Sequence, residues 1–217
     1  GAELIMMLAP NGEPAMIEFR DASVAELDNL KTFLFEHGPN PWNHLPVAGV
    51  DEELALIAQG KASALMAVEQ NELLGFAIFY HSDTLPSRYL QYTGGQQPAI
   101  YISEVVVHKA HAGQGIGNQL LIKIIERANP LMESSAEAEM VAGAAEADGA
   151  EMASGAGMVA GAKETTALLI DRHEENLASA GMMRKAGFVT LKTYLDLERR
   201  DYGSRKTTVM AYGLNGD

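Results

Sequence analysis

The sequence predicts an α/β (α+β) domain, a mixed sheet of about seven strands flanked by about four helices. Three observations carry this reading. The β-branched run Val105–Val107 meets a turn holding Gly113, Gly115 and Gly117, and Leu120, Leu121, Ile124, Ile125 and Ala128 then recur at helical spacing. A second apolar strand pattern near 166–171 leads through Asn176 into another helical stretch that closes at Gly187-Phe188. Residues 63–69 and 72–80 read as a hairpin across Gln70-Asn71. A chain of 217 residues suits one such domain with a substantial core; residues 1–14 are expected to be a tail and 15–217 the domain.

The remaining elements follow in order. Ile17–Arg20 reads as the opening strand, and Val24, Leu27, Leu30 and Leu34 share one face of a helix that ends near Gly38-Pro39. Residues 39–46 are proline-rich and read as a loop. Asp51 is the expected N-cap of a second helix, with Leu54, Ala55 and Ala58 inward and Gly60 at its end. Residues 82–99 read as a long polar loop, and 188–197 with 206–212 as the antiparallel pair that closes the sheet.

One stretch does not fit this pattern. From Met140 the chain falls into tandem hexads with glycine at 143, 149, 155 and 161, each followed by alanine. Alanine is too small to line a β-helix, and each such glycine weakens an α-helix by roughly 1 kcal/mol. Residues 131–164 are therefore expected to be a mobile or loosely packed insertion, with an ordered flap or an oligomer contact as the alternative. The insertion leaves the far end of the helix after the glycine turn, about 20 Å from its start at 1.5 Å per residue. It is accordingly expected on the side opposite that turn.

Composition excludes several function classes. Formal net charge is −13; seven acids against Lys163 give residues 131–164 a net −6, leaving −7 elsewhere. Nucleic acid is not an expected partner, because phosphate contacts need clustered Lys and Arg. An acidic surface suits a cationic ligand instead. The absence of cysteine excludes disulfides, a thiolate nucleophile and thiolate zinc sites. The histidines show no His-x-x-x-His pair, so no metal is expected. No apolar run approaches the ~18 residues that span a bilayer, so no membrane role and a cytoplasmic location are expected.

A strand feeding a glycine-rich turn into a helix leaves main-chain N–H groups pointing at one spot, where the helix dipole favours a phosphate. A P-loop would end in Gly-Lys-Ser/Thr, whereas this turn ends Gly117-Asn118-Gln119. A dinucleotide fingerprint would need glycine at Asn118 and a strand-borne acid about twenty residues on. Residues 112–117, Ala-Gly-Gln-Gly-Ile-Gly, resemble instead the acetyl-CoA turn Arg/Gln-x-x-Gly-x-Gly/Ala of the GCN5-related N-acetyltransferase (GNAT) family, departing from it at Ala112. The stretch 166–188, with Asn176 and Gly187-Phe188, resembles the family's second half, and 17–26 loosely its opening.

The resemblance implies a mostly antiparallel sheet with a splayed parallel central pair, and acetyl-CoA as acyl-donor co-substrate. It implies cofactor contacts from Val105, Val106, Val107, Ala112, Gly113, Gln114, Gly115, Ile116, Gly117 and Asn118, with Asn176 and Ser179 from the other side. Main-chain groups dominate such a site, so Ala112 should weaken it rather than abolish it. The implied reaction is acetyl transfer to a primary amine of a small molecule or peptide, and a homodimer is to be looked for. A non-catalytic acyl-CoA sensor or assembly module on the same fold is the alternative.

Transfer to an amine needs a proton acceptor, since an amine of pKa near 10 is protonated at neutral pH. Glu104 is the candidate base; it is expected on the face of Ile102 and opposite Val106. Met183 stands where the family usually places the tyrosine that protonates the leaving thiolate, and methionine has no proton to donate. Tyr194, Tyr101 or Tyr80 could substitute, or the thiolate could leave unassisted. Trp42 and His44, in the loop between the first two helices, are candidate acceptor-site residues.

Overall fold

A computed structural model describes residues 1–9, 11–130 and 165–214. Its strands are β1 (Glu3–Leu8), β2 (Pro14–Asp21), β3 (Ala62–Glu69), β4 (Glu72–Tyr80), β5 (Ala99–Val107), β6 (Ala167–His173), β7 (Val189–Leu195) and β8 (Lys206–Tyr212). The α-helices are α1 (Leu27–His37), α2 (Val47–Ala58), α3 (Ser87–Leu90), α4 (Ile116–Ala128) and α5 (Leu177–Lys185). The insertion reading for 131–164 lies outside the described residues.

The fold class is the expected one, with one more strand. Eight strands form a single sheet in the order β1-β2-β3-β4-β5-β6-β8-β7, antiparallel except for β5 beside β6. The added strand is β1, inside the expected tail; it pairs with β2 from Glu3↔Phe19 to Leu8↔Pro14. Its run Leu-Ile-Met-Met-Leu has no polar alternation to give it away, and Leu4, Met6 and Leu8 are exposed on one face. The Lys123 ammonium on α4 helps to hold it, bridging Glu3 and Glu126 at 2.6 Å each.

Side-chain alternation divides the core between the two faces of the sheet. On one face α4 and α5 cover Ile17, Phe19, Leu65, Ile102, Leu168 and Ile170. On the other, α1 and α2 cover Met66, Val68, Phe76, Ile78 and Val106, while the α3 loop covers Tyr101, Ala167, Leu169 and Val209. α4 earns its place through Ile116, Leu120, Leu121, Ile124 and Ile125, each buried and each contributing about 1.5–3 kcal/mol of transfer free energy.

Local details both follow and correct the sequence. Gln70 and Asn71 hold φ of 47° and 69°, which is the two-residue turn the hairpin required. α2 begins at Val47 rather than Asp51, with Val50, Leu54 and Ile57 inward; Ala55 and Ala58 are exposed. Its N-cap is Pro46, and Asp51 instead pairs with Lys31 at 2.6 Å. Pro46 makes no side-chain cap, so the start of this helix carries no polar capping signal.

Candidate active site

The parallel pairing of β5 and β6 is short. It runs from Ala99↔Ala167 to Ile102↔Ile170 and then stops, although β5 continues to Val107 and β6 to His173. Beyond Ile102 the edge of β5 that faces β6 is therefore free, and a cleft of about 340 Å³ opens there. That volume suits a small ligand or part of a larger one. Val105, Asn176, Ser179 and Met182 line one side; His44, Glu53, Tyr80, Arg88 and Glu104 line the other.

β5 runs from the cleft, where Val105 lines it, toward the glycine turn. Gly113 and Gly115 hold φ of 81° and 87°, a left-handed conformation that side chains with a Cβ adopt only with strain. Gly115 is the N-cap of α4 and offers no side-chain cap, so the first-turn N–H groups of Ile116, Gly117 and Asn118 have no intrahelical partner. An ideal Cβ on Gly113 would meet nothing within 4 Å, so space lies open beside the turn. These features fit a pyrophosphate. Ala112 is exposed, the Gln114 side chain meets His111 Nδ1 at 3.3 Å, and Asn118 Nδ2 donates to the Met182 carbonyl at 3.3 Å. The Val106 side chain is buried in the α1–α2 core, which leaves only its backbone for a ligand; Val105 and Val107 pack toward α4.

Across the cleft, Asn176 caps α5: its Oδ1 accepts the Ser179 N–H at 3.1 Å while both residues line the opening. Arg172 lines it too, with Nη1 donating to the His173 and Glu174 carbonyls at 3.0 and 2.5 Å; its buried Nε has no partner in the structure. Met183 is buried in the core beside α4.

Glu104 lies on the face opposite to the one expected. In register, Ile78 pairs with Glu104 but Phe79 with Ile102, so Ser103 is the extra residue of a β-bulge. The bulge turns Glu104 away from Ile102, toward the α1–α2 face it shares with Val106. Alternation alone already puts residues 104 and 106 on one face, so both halves of that expectation fail. Burial pushes the Glu104 carboxyl well above the usual range, and the Glu53 and Asp171 carboxylates push the same way against Arg200. Glu53, from α2, accepts the Tyr80 hydroxyl at 3.0 Å and is itself raised by burial.

Beside this pair lies a buried polar network that sequence reasoning missed. Asp171 accepts from Arg199 Nη1 at 2.9 Å and from the Tyr89 hydroxyl, and Arg200 Nη2 lies 3.6 Å away. Arg199 also reaches Asp196 at 2.8 Å and donates to the Tyr194 hydroxyl at 3.0 Å. Arg200 donates to Thr207 Oγ1 at 2.9 Å and to the Trp42 carbonyl at 3.1 Å. Tyr101 is buried and stacked on Tyr89 at 4.0 Å. The three substitute tyrosines thus have different surroundings: Tyr101 and Tyr194 belong to the network, and Tyr80 faces Glu53. Trp42 packs its ring on His173 at 4.9 Å and Tyr202 at 5.2 Å and is not among the residues lining the cleft; His44 is.

Among solved structures the chain is similar in fold to the ribosomal-protein-alanine N-acetyltransferase of Brucella melitensis, at 16% identity over 90% of this chain and 99% of that one, TM-score 0.56. It is similar to Naa50 of Arabidopsis thaliana in complex with the bisubstrate analogue CoA-Ac-MVNAL, at 14% identity over 90% and 97%, TM-score 0.54. It is also similar to yncA of Salmonella typhimurium, solved with its cofactor acetyl-CoA, at 18% identity over 93% and 95%, TM-score 0.56. No curated protein sequence matches the chain. The model of the acetyltransferase (GNAT) family matches residues 26–140, more than half of the chain, and takes in β5, the glycine turn and α4. The chain belongs to that family.

Proposed function

We propose that the protein transfers an acetyl group from acetyl-CoA to a primary amine, with Glu104 receiving the amine proton. The observation that carries this reading is the splay after Ile102 and Ile170, which leaves a free strand edge leading from the glycine turn to Glu104. Acetyl-CoA supplies the acetyl group as a thioester. The N–H groups at the start of α4 hold its pyrophosphate, the free edge near Val105 and Val107 pairs with its pantetheine arm, and Asn176 with Ser179 closes the opposite wall. Positioning of this kind is a large part of what such a site contributes.

Glu104 acts on the acceptor. Its raised pKa makes it a better proton acceptor than an exposed glutamate, and Glu53 sets a second carboxyl beside it. No general acid is assigned. Burial raises the pKa of Tyr80, of Tyr101 and of Tyr194 alike, which makes each a poorer acid. A thiol leaving group with pKa near 8.5 tolerates departure as the anion.

The test begins with calorimetric titration by acetyl-CoA, with NADH as control, followed by an amine screen for released CoA. Saturable binding of acetyl-CoA alone, and thiol release that needs both amine and Glu104, is the expected result. Binding without release by any amine would favour the non-catalytic alternative.

A further inference from the structure

We infer that the acceptor is an amino-acid-like molecule, a primary amine that also bears a carboxylate, and that Arg88 holds the carboxylate. The inference rests on the acetyltransferase reading and deepens it.

Four guanidinium groups line the cleft, and three are already committed. Arg199 is paired with Asp171 and Asp196. Arg200 is buried against Asp171, Thr207 and the Trp42 carbonyl. Arg172 follows Ile170 by two residues on β6, so it faces α5 and the cofactor side, with Nη1 on two backbone carbonyls.

Arg88 differs from all three. Among the described residues no carboxylate lies within ion-pair distance of it. It is exposed at the rim on α3, yet its guanidinium is not loose: it sits 4.8 Å from the centre of the Tyr89 ring and 5.9 Å from that of Tyr101. Those stacked, buried rings form a firm platform for a cation. Beside it, Glu53 is pushed up by burial and drawn down by the Ser103 and Tyr80 hydrogen bonds and then by the Arg88 charge.

The acceptor side of the cleft therefore presents one cation that makes no ion pair among the described residues and, near it, the carboxyl pair Glu53 and Glu104. A simple ammonium would be drawn to the carboxyls and repelled by Arg88. A ligand with both charges satisfies both ends, and the planar fork of a guanidinium matches a carboxylate bidentately. The carboxylate could belong to a free amino acid or to an acidic side chain near a peptide's N-terminus; the chemistry at Arg88 is the same.

The test measures equilibrium binding to the protein saturated with CoA, so that it does not depend on turnover. The probes are the common L-α-amino acids together with β-alanine and γ-aminobutyrate, each against its neutral amide. Dipeptide amides with an acidic second residue form a separate arm, against matched amides with glutamine or asparagine there. We expect at least one carboxylate-bearing probe to bind about 10- to 100-fold more tightly than its neutral partner. Arg88→Ala should reduce that ratio to within about threefold, Arg88→Lys should restore part of it, and acetyl-CoA affinity should stay unchanged in both. Which arm binds identifies the source of the carboxylate. The inference is overturned if no carboxylate-bearing probe binds better than its neutral partner, or if the preference survives Arg88→Ala. Failure of the acetyltransferase reading shows separately, as binding of these probes without CoA release in the presence of acetyl-CoA.

Discussion

The two walls of the cleft are built on opposite plans. The wall proposed for the cofactor is mostly main chain: the free edge of β5, the turn beyond it with two left-handed glycines and the start of α4, all in the contiguous stretch 105–118. The wall proposed for the acceptor draws on charged and polar side chains from α2, α3, β4, β5, β6 and the β7–β8 connection. A main-chain site tolerates side-chain change and fails when its conformation changes. A side-chain site does the reverse, and its failures spread through whatever network holds it.

The largest expected effect lies in that network. Asp171 is nearly enclosed, with its carboxylate shared among Arg199, Arg200 and Tyr89. Asp171→Ala would leave Arg199 with Asp196 as its one carboxylate among the described residues and Arg200 with none, and breaking such a buried pair costs about 3 kcal/mol or more. Denaturant unfolding should read that loss, while calorimetry should find acetyl-CoA affinity within about threefold of the parent. Loss of cofactor affinity matching the loss of acceptor binding would show that the walls are one unit, and the comparison would fail.

Next is the turn. Gly115→Val forces a β-branched residue to a φ near 87°, which costs about 1–2 kcal/mol and displaces the N–H groups at the start of α4. The acetyl-CoA Kd should rise at least about tenfold. Ala112→Arg restores the side chain that the family pattern carries, yet it should change that Kd by less than about threefold if the main chain does the holding. A large gain from Ala112→Arg would mean that the wall depends on side-chain charge after all.

This difference also explains what could be read from the sequence. The glycine turn, the helix behind it and Asn176 were legible because their chemistry is local: glycine spacing, a strand before it, a periodic helix after it. The bulge at Ser103 was not, since one extra residue in a strand leaves no mark in composition, and it reversed the face of Glu104. The Asp171 network was hidden for another reason. Its members Tyr89, Asp171, Asp196, Arg199 and Arg200 read singly as ordinary surface residues, and only sheet pairing over more than a hundred residues of chain brings them together. Trp42 was legible as a special residue but not as to its use, because an aromatic in a proline-rich loop serves equally well as a pin or as a ligand platform.

Glu104→Gln separates chemistry from stability. Loss of the proton acceptor should lower kcat about 10²-fold. Folding moves the Glu104 carboxyl well above its ordinary 4.5, so the fold favours the protonated form. Its contribution to stability is then fully present below about pH 4.5 and is lost as pH rises through the raised folded value. Glutamine does not titrate, so the melting temperature of the variant should gain on that of the parent as pH rises above about 4.5. The kcat/KM of the parent should climb with pH in parallel, as Glu104 deprotonates. Parallel melting curves would remove the physical basis for a base of raised pKa.

The smallest effect on binding and turnover is expected from removing residues 131–164, and it tests whether either wall needs them. The two ends of that segment are already tied together: the Thr166 N–H reaches Asn129 Oδ1 at 2.8 Å, and its hydroxyl donates to the Ala128 carbonyl at 2.9 Å. That junction lies at the end of α4 and the start of β6, the ends of those elements away from the glycine turn and Asp171. Replacing the segment with about four residues preserves the junction and shortens the stretch of chain that folding must close. Closure entropy alone then stabilises the domain by about 2 kcal/mol, while Kd for acetyl-CoA and kcat/KM should stay within about twofold. A deletion that lowers stability would show that these residues pack on the domain. One that lowers kcat/KM at constant stability would tie them to the acceptor wall, and the division into two separable walls would need a third member.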